Sequence, residues 1–259
     1  MRMSWKHCIA CLLLSLAGQG TAWAQLRASV GGEYYGWTEE TTPEVSERGG
    51  LAVFGLEYTK PGVSGLLWGY RGNVYTGAAT YDGSSLRTPT TPVTGTTSYV
   101  GMSHEGRLHY RFDVGNQRGV DLVFGAGVDI WQRRLSSVQR EDYLIGFFRL
   151  GVETERNGAG WIGGGGIKMP FHTWEDAHLT DIGFGQNPTL QPGKRPSFYA
   201  QLGYRFDSPM SLIFYVDSYR FSQSKGEVVD DLTQSTKVEV YQPASNRYSI
   251  GLRLRFEFE

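Results

Sequence analysis

Cysteine is nearly absent from this chain of 259 residues, and its two copies, Cys8 and Cys11, both lie near the N-terminus. The remainder of the sequence therefore offers no disulfide, no thiol nucleophile and no cysteine-based metal site. Beyond Gln25 no apolar run approaches about 18 residues, so the sequence contains no candidate for a transmembrane helix. A net charge of −1 gives no overall field that would attract nucleic acid. Walker, zinc and dinucleotide motifs are also missing, and we predict no cofactor.

The N-terminal segment has the three parts of a secretory signal peptide. Arg2 and Lys6 supply a positive start, residues 9–17 form an apolar centre, and Ala22-Trp23-Ala24 provides a small-residue cleavage site. The apolar centre is too short to cross a bilayer as a helix. We therefore predict a signal peptide at residues 1–24 and a single domain over residues 25–259.

The last stretch of the chain alternates apolar and polar side chains without a break. A period of two is typical of a β-strand with one apolar face and one polar face. The run exceeds the usual length of a globular strand and is long enough for a tilted membrane crossing. Its apolar series is Tyr248, Ile250, Leu252, Leu254, Phe256 and Phe258.

The same alternation recurs along the chain, and the connections between runs are short and long in turn. This rhythm is typical of an up-and-down antiparallel barrel with two unlike ends. We predict an all-β transmembrane barrel of ten strands. Eight strands is the alternative, because glycines 163–166 and Pro170 weaken the seventh run. The predicted runs are 26–38, 51–59, 63–75, 97–114, 120–133, 143–155, 161–171, 198–207, 210–221 and 246–259.

A soluble β-sandwich is a second way to use alternating strands, with the apolar face buried. The length of the runs and the aromatic residues near their ends favour a barrel in lipid, since Trp and Tyr concentrate at membrane interfaces. The barrel must be closed, because lipid offers no hydrogen-bond partner to an open sheet edge. The aromatic residues in question are Tyr34, Tyr35, Trp37, Tyr58, Tyr75, Trp131, Trp161 and Tyr204.

The pattern Tyr248-x-x-Gly251-x-x-x-x-Phe256-x-Phe258 is similar to the C-terminal strand that the barrel-assembly machinery reads. In these residues, and in the strand pattern of the whole chain after residue 24, the sequence resembles the small outer-membrane β-barrel proteins of Gram-negative bacteria. The resemblance implies an outer-membrane location, with lipid, lipopolysaccharide and the assembly machinery as partners. That family signal usually ends on the aromatic residue, whereas Glu259 follows it here.

The polar faces of the runs carry similar numbers of acids and bases. A lumen of about ten strands is narrow, and charges removed from water must pair with each other. We predict an ion-pair network that largely plugs the lumen, with glycines such as Gly31 and Gly125 giving room to long side chains. The predicted network comprises Glu57, Arg71, Glu105, Arg107, Arg111, Asp121, Asp129, Arg149, Glu153, Lys168, Arg205, Asp217, Arg253 and Arg255.

The long loops, 78–96, 172–196 and 222–245, are rich in Thr, Ser, Gly and Pro, which suits adaptable binding. We therefore predict a non-enzymatic barrel with a structural role, or with an extracellular ligand that meets these loops. A narrow pore for ions or small solutes is the first alternative. A surface hydrolase is the second.

The hydrolase alternative depends on Asp176 and His178, which have the spacing of a general-base pair. The omptin proteases, which are ten-stranded barrels, look similar at this point, with an Asp-x-His in the corresponding loop. They also need an aspartate pair in the second long loop, where this sequence has only Asp82. A second Ser/His combination, Ser103 and His104, consists of strand neighbours that point to opposite faces and cannot pair directly.

Two further sets of charged loop residues are weaker candidates for a functional site. Glu227, Asp230, Asp231 and Glu239 offer carboxylates to Ca²⁺, but their spacing matches no dedicated site, and we predict a solvated acidic loop without metal. Basic residues at the loop bases are placed to meet lipopolysaccharide phosphates. These are Arg133, Arg134, Arg140, Lys194 and Arg195.

Overall fold

The computed structural model describes residues 25–84, 91–116 and 118–258. The predicted signal peptide and Glu259 lie outside these residues. No helix in the described part of the chain is long and apolar enough to cross a membrane. The described residues form fourteen strands and one 3-10 helix, Leu179–Ile182.

Ten of the strands are long. They are β1 (Gln25–Glu39), β2 (Val45–Thr59), β3 (Gly65–Ser84), β4 (Pro92–Asp113), β5 (Arg118–Arg134), β6 (Arg140–Arg156), β7 (Gly160–Asp176), β10 (Ser197–Arg205), β11 (Met210–Ser222) and β14 (Ser245–Phe258). Four short strands lie in the last two long loops: β8 (Thr189–Leu190), β9 (Gly193–Arg195), β12 (Glu227–Asp231) and β13 (Thr236–Val240).

The long strands form a closed antiparallel barrel. Each pairs with the next in chain order, β7 pairs with β10, and β14 closes the ring against β1. The predicted barrel of ten strands is thus confirmed. The eight-strand alternative is wrong, since β7 pairs along both of its edges with β6 and β10. Closure also separates the fold from a β-sandwich, whose two sheets have open edges.

The glycine-rich β7 completes its ladder by means of a β-bulge. Pro170 pairs with Phe147, and the register then shifts between Gly146 and Phe147. A bulge accommodates a proline, which has no amide hydrogen to give to the ladder. Glycines 163–166 also pair with β10, so the absence of side chains at these positions leaves the strand intact.

A continuous belt of exposed apolar side chains surrounds the barrel. Phe54, Trp68, Leu108, Phe198 and Leu252 are about half exposed, and every long strand contributes at least one such residue. A protein in water rarely exposes a contiguous apolar surface of this extent. Near the short turns the belt ends in aromatic pairs, Tyr58 with Trp68 at 4.9 Å and Trp161 with Tyr204 at 5.5 Å between ring centroids.

The barrel wall continues beyond the belt at the loop end. Residues 45–50, 78–84 and 92–96 were expected in loops, but they belong to β2, β3 and β4. The sequence does not show this extension because these strand ends are mostly polar or small, and apolar and polar residues do not alternate regularly in them. Arg48 and Arg134 are exposed on the outer face at this level. The alternation ends where the apolar belt ends, whereas the hydrogen-bonded ladder continues.

Half of the aromatic residues expected at membrane interfaces point into the barrel instead. Tyr35, Trp37, Tyr75 and Trp131 are buried, with Trp37 completely inaccessible. These residues belong to the same inward series as the charged residues. Their position near the strand ends predicted their level along the barrel but not the face of the strand on which they lie. Tyr34, with 46% of its surface exposed, does face outward.

Candidate functional site

The inside of the barrel is filled by successive layers of side chains, and the layer nearest the short turns consists of ion pairs. Arg27 donates two hydrogen bonds of 2.9 Å to Glu155 and lies 3.6 Å from Glu257. Glu257 also pairs with Arg205 at 2.6 Å. Beside them, Arg111 donates to both oxygens of Asp121 at 2.7 Å. This end of the lumen is therefore occupied by charged groups that face one another.

The next layer contains charges shared among several partners. Arg107 reaches Glu57 at 3.2 Å, pairs with Glu153, and lies 3.5 Å from Glu105. On the opposite wall, Arg149 contacts Asp217 at 2.9 Å, and Lys168 binds the second oxygen of Asp217. Contacts with several partners offset more of the desolvation cost of a buried charge than a single ion pair does. These groups cross-link strands from all sides of the barrel.

A polar cavity of about 120 Å³ lies within the lumen. Its lining includes Glu33, Asn73, Tyr215 and Arg253. The volume is enough for several water molecules, since one water requires roughly 10–15 Å³. Polar side chains therefore surround a space that is large enough for water at this level of the lumen.

An aromatic layer covers the cavity toward the loop end. Tyr35 and Tyr99 have ring centroids 4.5 Å apart, and Trp131 stacks on Tyr143 at 4.9 Å. Arg247 lies over Trp131 at 4.5 Å, a cation–π arrangement. The buried apolar cluster of this layer comprises Tyr35, Trp37, Leu51, Val53, Tyr75, Ala79, Tyr99, Trp131, Tyr143, Ile145, Phe147, Tyr219 and Phe221. Tyr75 and Tyr219 of this cluster also line the cavity.

Above the aromatic layer, one buried arginine is surrounded by carboxylates. Arg133 contacts Glu39 at 2.9 Å, Glu47 at 2.6 Å and Glu141 at 2.8 Å. Tyr99 donates a further hydrogen bond to Glu47. We call these residues, together with Glu175, the Arg133 cluster; it lies beyond the apolar belt, at the level of exposed Arg48 and Arg134.

Carboxylates outnumber cations in the Arg133 cluster, and this affects their protonation. Burial, with the nearby charges of Glu141 and Glu39, raises the pKa of Glu175 well above its ordinary value of 4.5. Burial likewise raises the pKa of Glu141. Glu175 is 1% exposed, and its Oε2 has no hydrogen-bond partner among the described residues. The cluster therefore favours a bound proton on the Glu141 and Glu175 pair.

Most residues of the predicted network lie in ion pairs, with two departures. Arg253 donates to the side-chain oxygen of Asn73 at 2.9 Å and stacks on Tyr215 at 3.8 Å, without a carboxylate within 4.0 Å among the described residues. Arg255 has only a weak contact of 3.5 Å with Glu257. Asp129, the remaining member, pairs with Arg247 at 3.7 Å.

Sequence reasoning missed Arg247 and four members of the Arg133 cluster. Arg247 belongs to the polar series of the last strand, so its inward position was available from the alternation. Glu39, Glu47 and Glu141 lie where the outer face is also polar, and there the alternation carries no information. Glu175 lies in the stretch 172–196, which was predicted as a loop. The lumen is consequently filled over a greater height than the sequence suggests.

The last two long loops fold into a cap on the loop end. The strand β8 adds to β7, β9 adds to β11, and β12 and β13 form a hairpin. The hairpin packs Val229 against Leu179 and Phe184 in a small apolar core outside the barrel. The stretches predicted as adaptable loops are thus partly ordered β-structure.

The structure places the candidate hydrolytic residues on the outside of the barrel wall. The ring of His178 contacts Asp142 at 2.7 Å and Arg140 at 3.3 Å, and Asp176 accepts a hydrogen bond from the His178 backbone. Asp82 is exposed on β3, which lies four strands away from β7 around the barrel. The fold does not bring Asp82 to Asp176 and His178.

The structure also does not assemble the other candidate residues into a site. His104 points outward and lies 2.5 Å from the Tyr70 hydroxyl, whereas its neighbour Ser103 lines the cavity. Asp231 accepts hydrogen bonds from the Thr233 and Gln234 backbone and closes the hairpin turn. No group of three or more metal-ligating side chains occurs in the described residues. Arg133, expected to face lipopolysaccharide, is buried inside the barrel.

The predicted assembly signal lies on β14. Phe258 is half exposed and Phe256 partly exposed on the outer face, whereas Gly251 faces inward beneath the ring of Tyr215. Tyr248 covers Gly36 of the neighbouring strand. A side chain at either glycine would collide with these rings.

No family model and no curated protein sequence matches the chain. Among solved structures, the outer membrane protease OmpT from Escherichia coli matches with a TM-score of 0.55 and 10% identity, covering 93% of this chain and 99% of that chain. The translocator domain of the autotransporter NalP from Neisseria meningitidis matches with a TM-score of 0.37 and 11% identity, over 97% and 94% of the two chains. A mutant of the monoaromatic hydrocarbon channel TodX matches with a TM-score of 0.32 and 8% identity, over 94% and 91%.

At this level of identity the likeness to OmpT concerns the fold and not the chemistry. That fold agrees with the closed ring of ten strands and with the apolar belt around it. The chain therefore has the fold of the outer-membrane β-barrel proteins.

Proposed function

We propose that this protein is a non-enzymatic outer-membrane barrel whose lumen is closed to solutes and whose loop end serves surface interaction. The observation that carries the proposal is the aromatic layer, topped by the Arg133 cluster. Ions that cross the lumen would have to displace packed rings and then pass several buried carboxylates. The aromatic layer and the Arg133 cluster, one above the other, favour a lumen that is permanently closed.

The location follows from the apolar belt and the two unlike ends. In barrels of this kind the short turns lie in the periplasm and the long loops outside. The outward residues of β14, Tyr248, Phe256 and Phe258, supply the signal for the assembly machinery. Exposed basic residues beyond the belt, such as Arg48 and Arg134, are placed to meet lipopolysaccharide phosphates.

The surface role is supported by the cap. Val228 and Leu232 of the hairpin are 63% and 66% exposed, and Tyr241 beside it is 45% exposed. Apolar side chains on an ordered, solvent-facing hairpin suit contact with an extracellular ligand. The hydrolase alternative lacks such support, because Asp82 lies far from His178. Peptide cleavage that disappears in the Asp176→Asn and His178→Gln variants would revive it.

The pore alternative differs from the proposal in a measurable way. Purified protein in planar bilayers is expected to show no steady conductance. The variant Trp131→Ala with Tyr99→Ala, which thins the aromatic layer, should open more often than the wild type. The matched variant Trp161→Ala with Tyr110→Ala removes the same residue types from the outer face and should stay closed. A steady wild-type conductance of nanosiemens size would show that the lumen is a pore.

A further inference from the structure

The lumen holds a group of arginines beside the cavity already described. A second, smaller cavity of about 20 Å³ adjoins it, and the two share Ser29, Glu57, Arg71, Asn73, Arg253 and Arg255 in their linings. The smaller cavity is lined by four guanidinium groups but by one carboxylate. The four are those of Arg27, Arg71, Arg253 and Arg255, and the carboxylate is that of Glu57.

The carboxylates beside the smaller cavity are already engaged by the other arginines. Glu57 lies 3.3 Å from Arg71, 3.2 Å from Arg107 and 4.0 Å from Arg27. Glu155 pairs with Arg27 at 2.9 Å, Glu153 lies 3.9 Å from Arg71, and Glu257 is shared by Arg27, Arg205 and Arg255. A buried cation without a counterion is costly, so a guanidinium that no carboxylate contacts favours a bound anion.

Arg253 and Arg255 have the weakest charge pairing of these four arginines. Among the described residues Arg253 contacts no carboxylate, and its side-chain partners are the amide oxygen of Asn73 and the ring of Tyr215. Arg255 contacts Glu257 at 3.5 Å and is 6% exposed, and the Nε atoms of both arginines are buried without a hydrogen-bond partner in the described chain. Donors of this kind, on residues that line a small cavity, are suited to an acceptor that the chain itself does not supply.

The other nearby acid is also occupied. Glu33 lines the larger cavity, but one of its oxygens accepts from Ser249 at 3.0 Å and the other from Tyr215 at 2.7 Å. The hydrogen bond from Tyr215 keeps the phenol ring between Glu33 and Arg253. The negative charge of Glu33 therefore acts on Arg253 only across that ring.

Two glycines provide the space between the arginines. A Cβ at Gly55 would lie 2.5 Å from the Ser29 hydroxyl and 2.8 Å from the Asn73 side chain. A Cβ at Gly31 would lie 3.0 Å from the Arg253 stem. The opening that these glycines leave is the size of one water molecule or one monatomic ion.

We infer that the corner formed by Arg71, Arg253, Arg255, Ser29 and Asn73 is a binding site for a halide-sized inorganic anion. The anion accepts from the guanidinium groups and from the Ser29 hydroxyl, and it gives Arg253 a counterion. Its volume excludes large organic anions. The site depends on the barrel fold and not on the closure of the lumen, so a conducting lumen would leave it standing.

The test compares unfolding midpoints in urea for the detergent-solubilised protein in sodium bromide and in sodium gluconate at equal ionic strength. Equal ionic strength removes differences in screening. An anion that binds only the folded state stabilises it by mass action, so the midpoint should rise with bromide and then saturate. Anomalous diffraction from crystals in bromide should place the ion in the Arg253 corner. Equal midpoints in the two salts, or bromide bound only elsewhere, would overturn the proposal.

Two variants with opposite charge changes identify the site. Arg253→Gln removes a cation, and Asn73→Asp places a fixed carboxylate where the amide oxygen now lies 2.9 Å from Arg253. Both should lose the bromide dependence, and in gluconate Asn73→Asp should be at least as stable as the wild type, because its carboxylate supplies Arg253 with a counterion. The control Arg48→Gln, on the exposed outer face, should keep the dependence. Bromide dependence that persists in Asn73→Asp would contradict the site.

Discussion

Arg133 is the cation that holds the carboxylates of its cluster together at the loop end of the lumen. Its three ion pairs leave Glu175 with an oxygen that has no partner among the described residues. Because the folded protein raises the pKa of Glu175, the folded state binds the proton more tightly than the unfolded chain does. The corresponding stability is present below the ordinary pKa and is lost as pH rises through the raised value.

The first prediction concerns this pH dependence. The free energy of unfolding of the wild type should fall as the pH rises above 4.5, the ordinary pKa of the Glu175 carboxyl group. Glu175→Gln, which imitates the protonated side chain, should show a shallower decline. Urea unfolding followed by tryptophan fluorescence measures both. The exposed Glu44 gives the control Glu44→Gln, which should follow the wild type, and parallel curves for Glu175→Gln and wild type would contradict the account.

At the residue scale, alternation predicts which side chains face inward, but only where the outer face is apolar. The members of the predicted network, from Glu57 to Arg255, were identified because apolar neighbours marked the other face. Glu47 carries no such mark, because the outer residues beside it, Ser46 and Arg48, are polar, and Glu175 lies in a stretch that was predicted as a loop. Alternation also cannot show which charges lack a partner, since the partner of each inward residue comes from a distant strand.

At the scale of single strands, inward and outward glycines have different roles. On β1, a Cβ at Gly31 would lie 2.2 Å from the backbone oxygen of Leu252, whereas the nearest atom to a Cβ at Gly32 is 3.7 Å away. The inward glycine allows β14 and its arginines to approach closely, and the outward glycine has space around it. The general prediction that inward glycines give room to long neighbours thus has a specific geometric basis here.

The second prediction compares the two adjacent glycines. Gly31→Ala should destabilise the barrel by roughly 1–3 kcal/mol, because overpacking forces the backbone to shift. Gly32→Ala should have little effect or stabilise slightly, since alanine lowers the entropy of the unfolded chain. Urea unfolding in the same detergent compares them. An equal loss of stability in both variants would show that the inward contact is not the cause.

The third prediction separates the cap from the barrel. Val229 is 2% exposed within the small core of the hairpin, and its neighbour Val228 is 63% exposed. Val229→Asp should loosen the cap and make residues 183–188 susceptible to limited proteolysis, while the heat-dependent gel shift of the barrel stays unchanged. Val228→Asp should resist proteolysis as the wild type does. Loss of the gel shift in Val229→Asp would mean that the barrel needs its cap.

At the scale of the whole molecule, strand number and antiparallel order could be predicted from the rhythm of runs and turns. The height of the wall could not, because strand ends such as 46–50 of β2 have polar or small residues on both faces. Neither could the ordered cap, whose core of Val229, Leu179 and Phe184 joins two segments far apart in sequence. The inside of the barrel combines both cases. Its ion pairs were predicted, whereas four rings of its aromatic layer, those of Tyr35, Trp37, Tyr75 and Trp131, were expected at the membrane interfaces.

The most direct measurement uses the absence of cysteine from residues 25–259 to place single spin labels along β11 and β14 in lipid vesicles. Labels at the outward Leu212, Leu252 and Leu254 should collide with oxygen dissolved in the hydrocarbon and be shielded from a water-soluble nickel complex. Labels at the inward Ser211 and Ser249 should be shielded from both reagents. Access of the nickel complex to the outward positions, or no alternation between neighbours, would contradict a barrel whose apolar belt is surrounded by lipid.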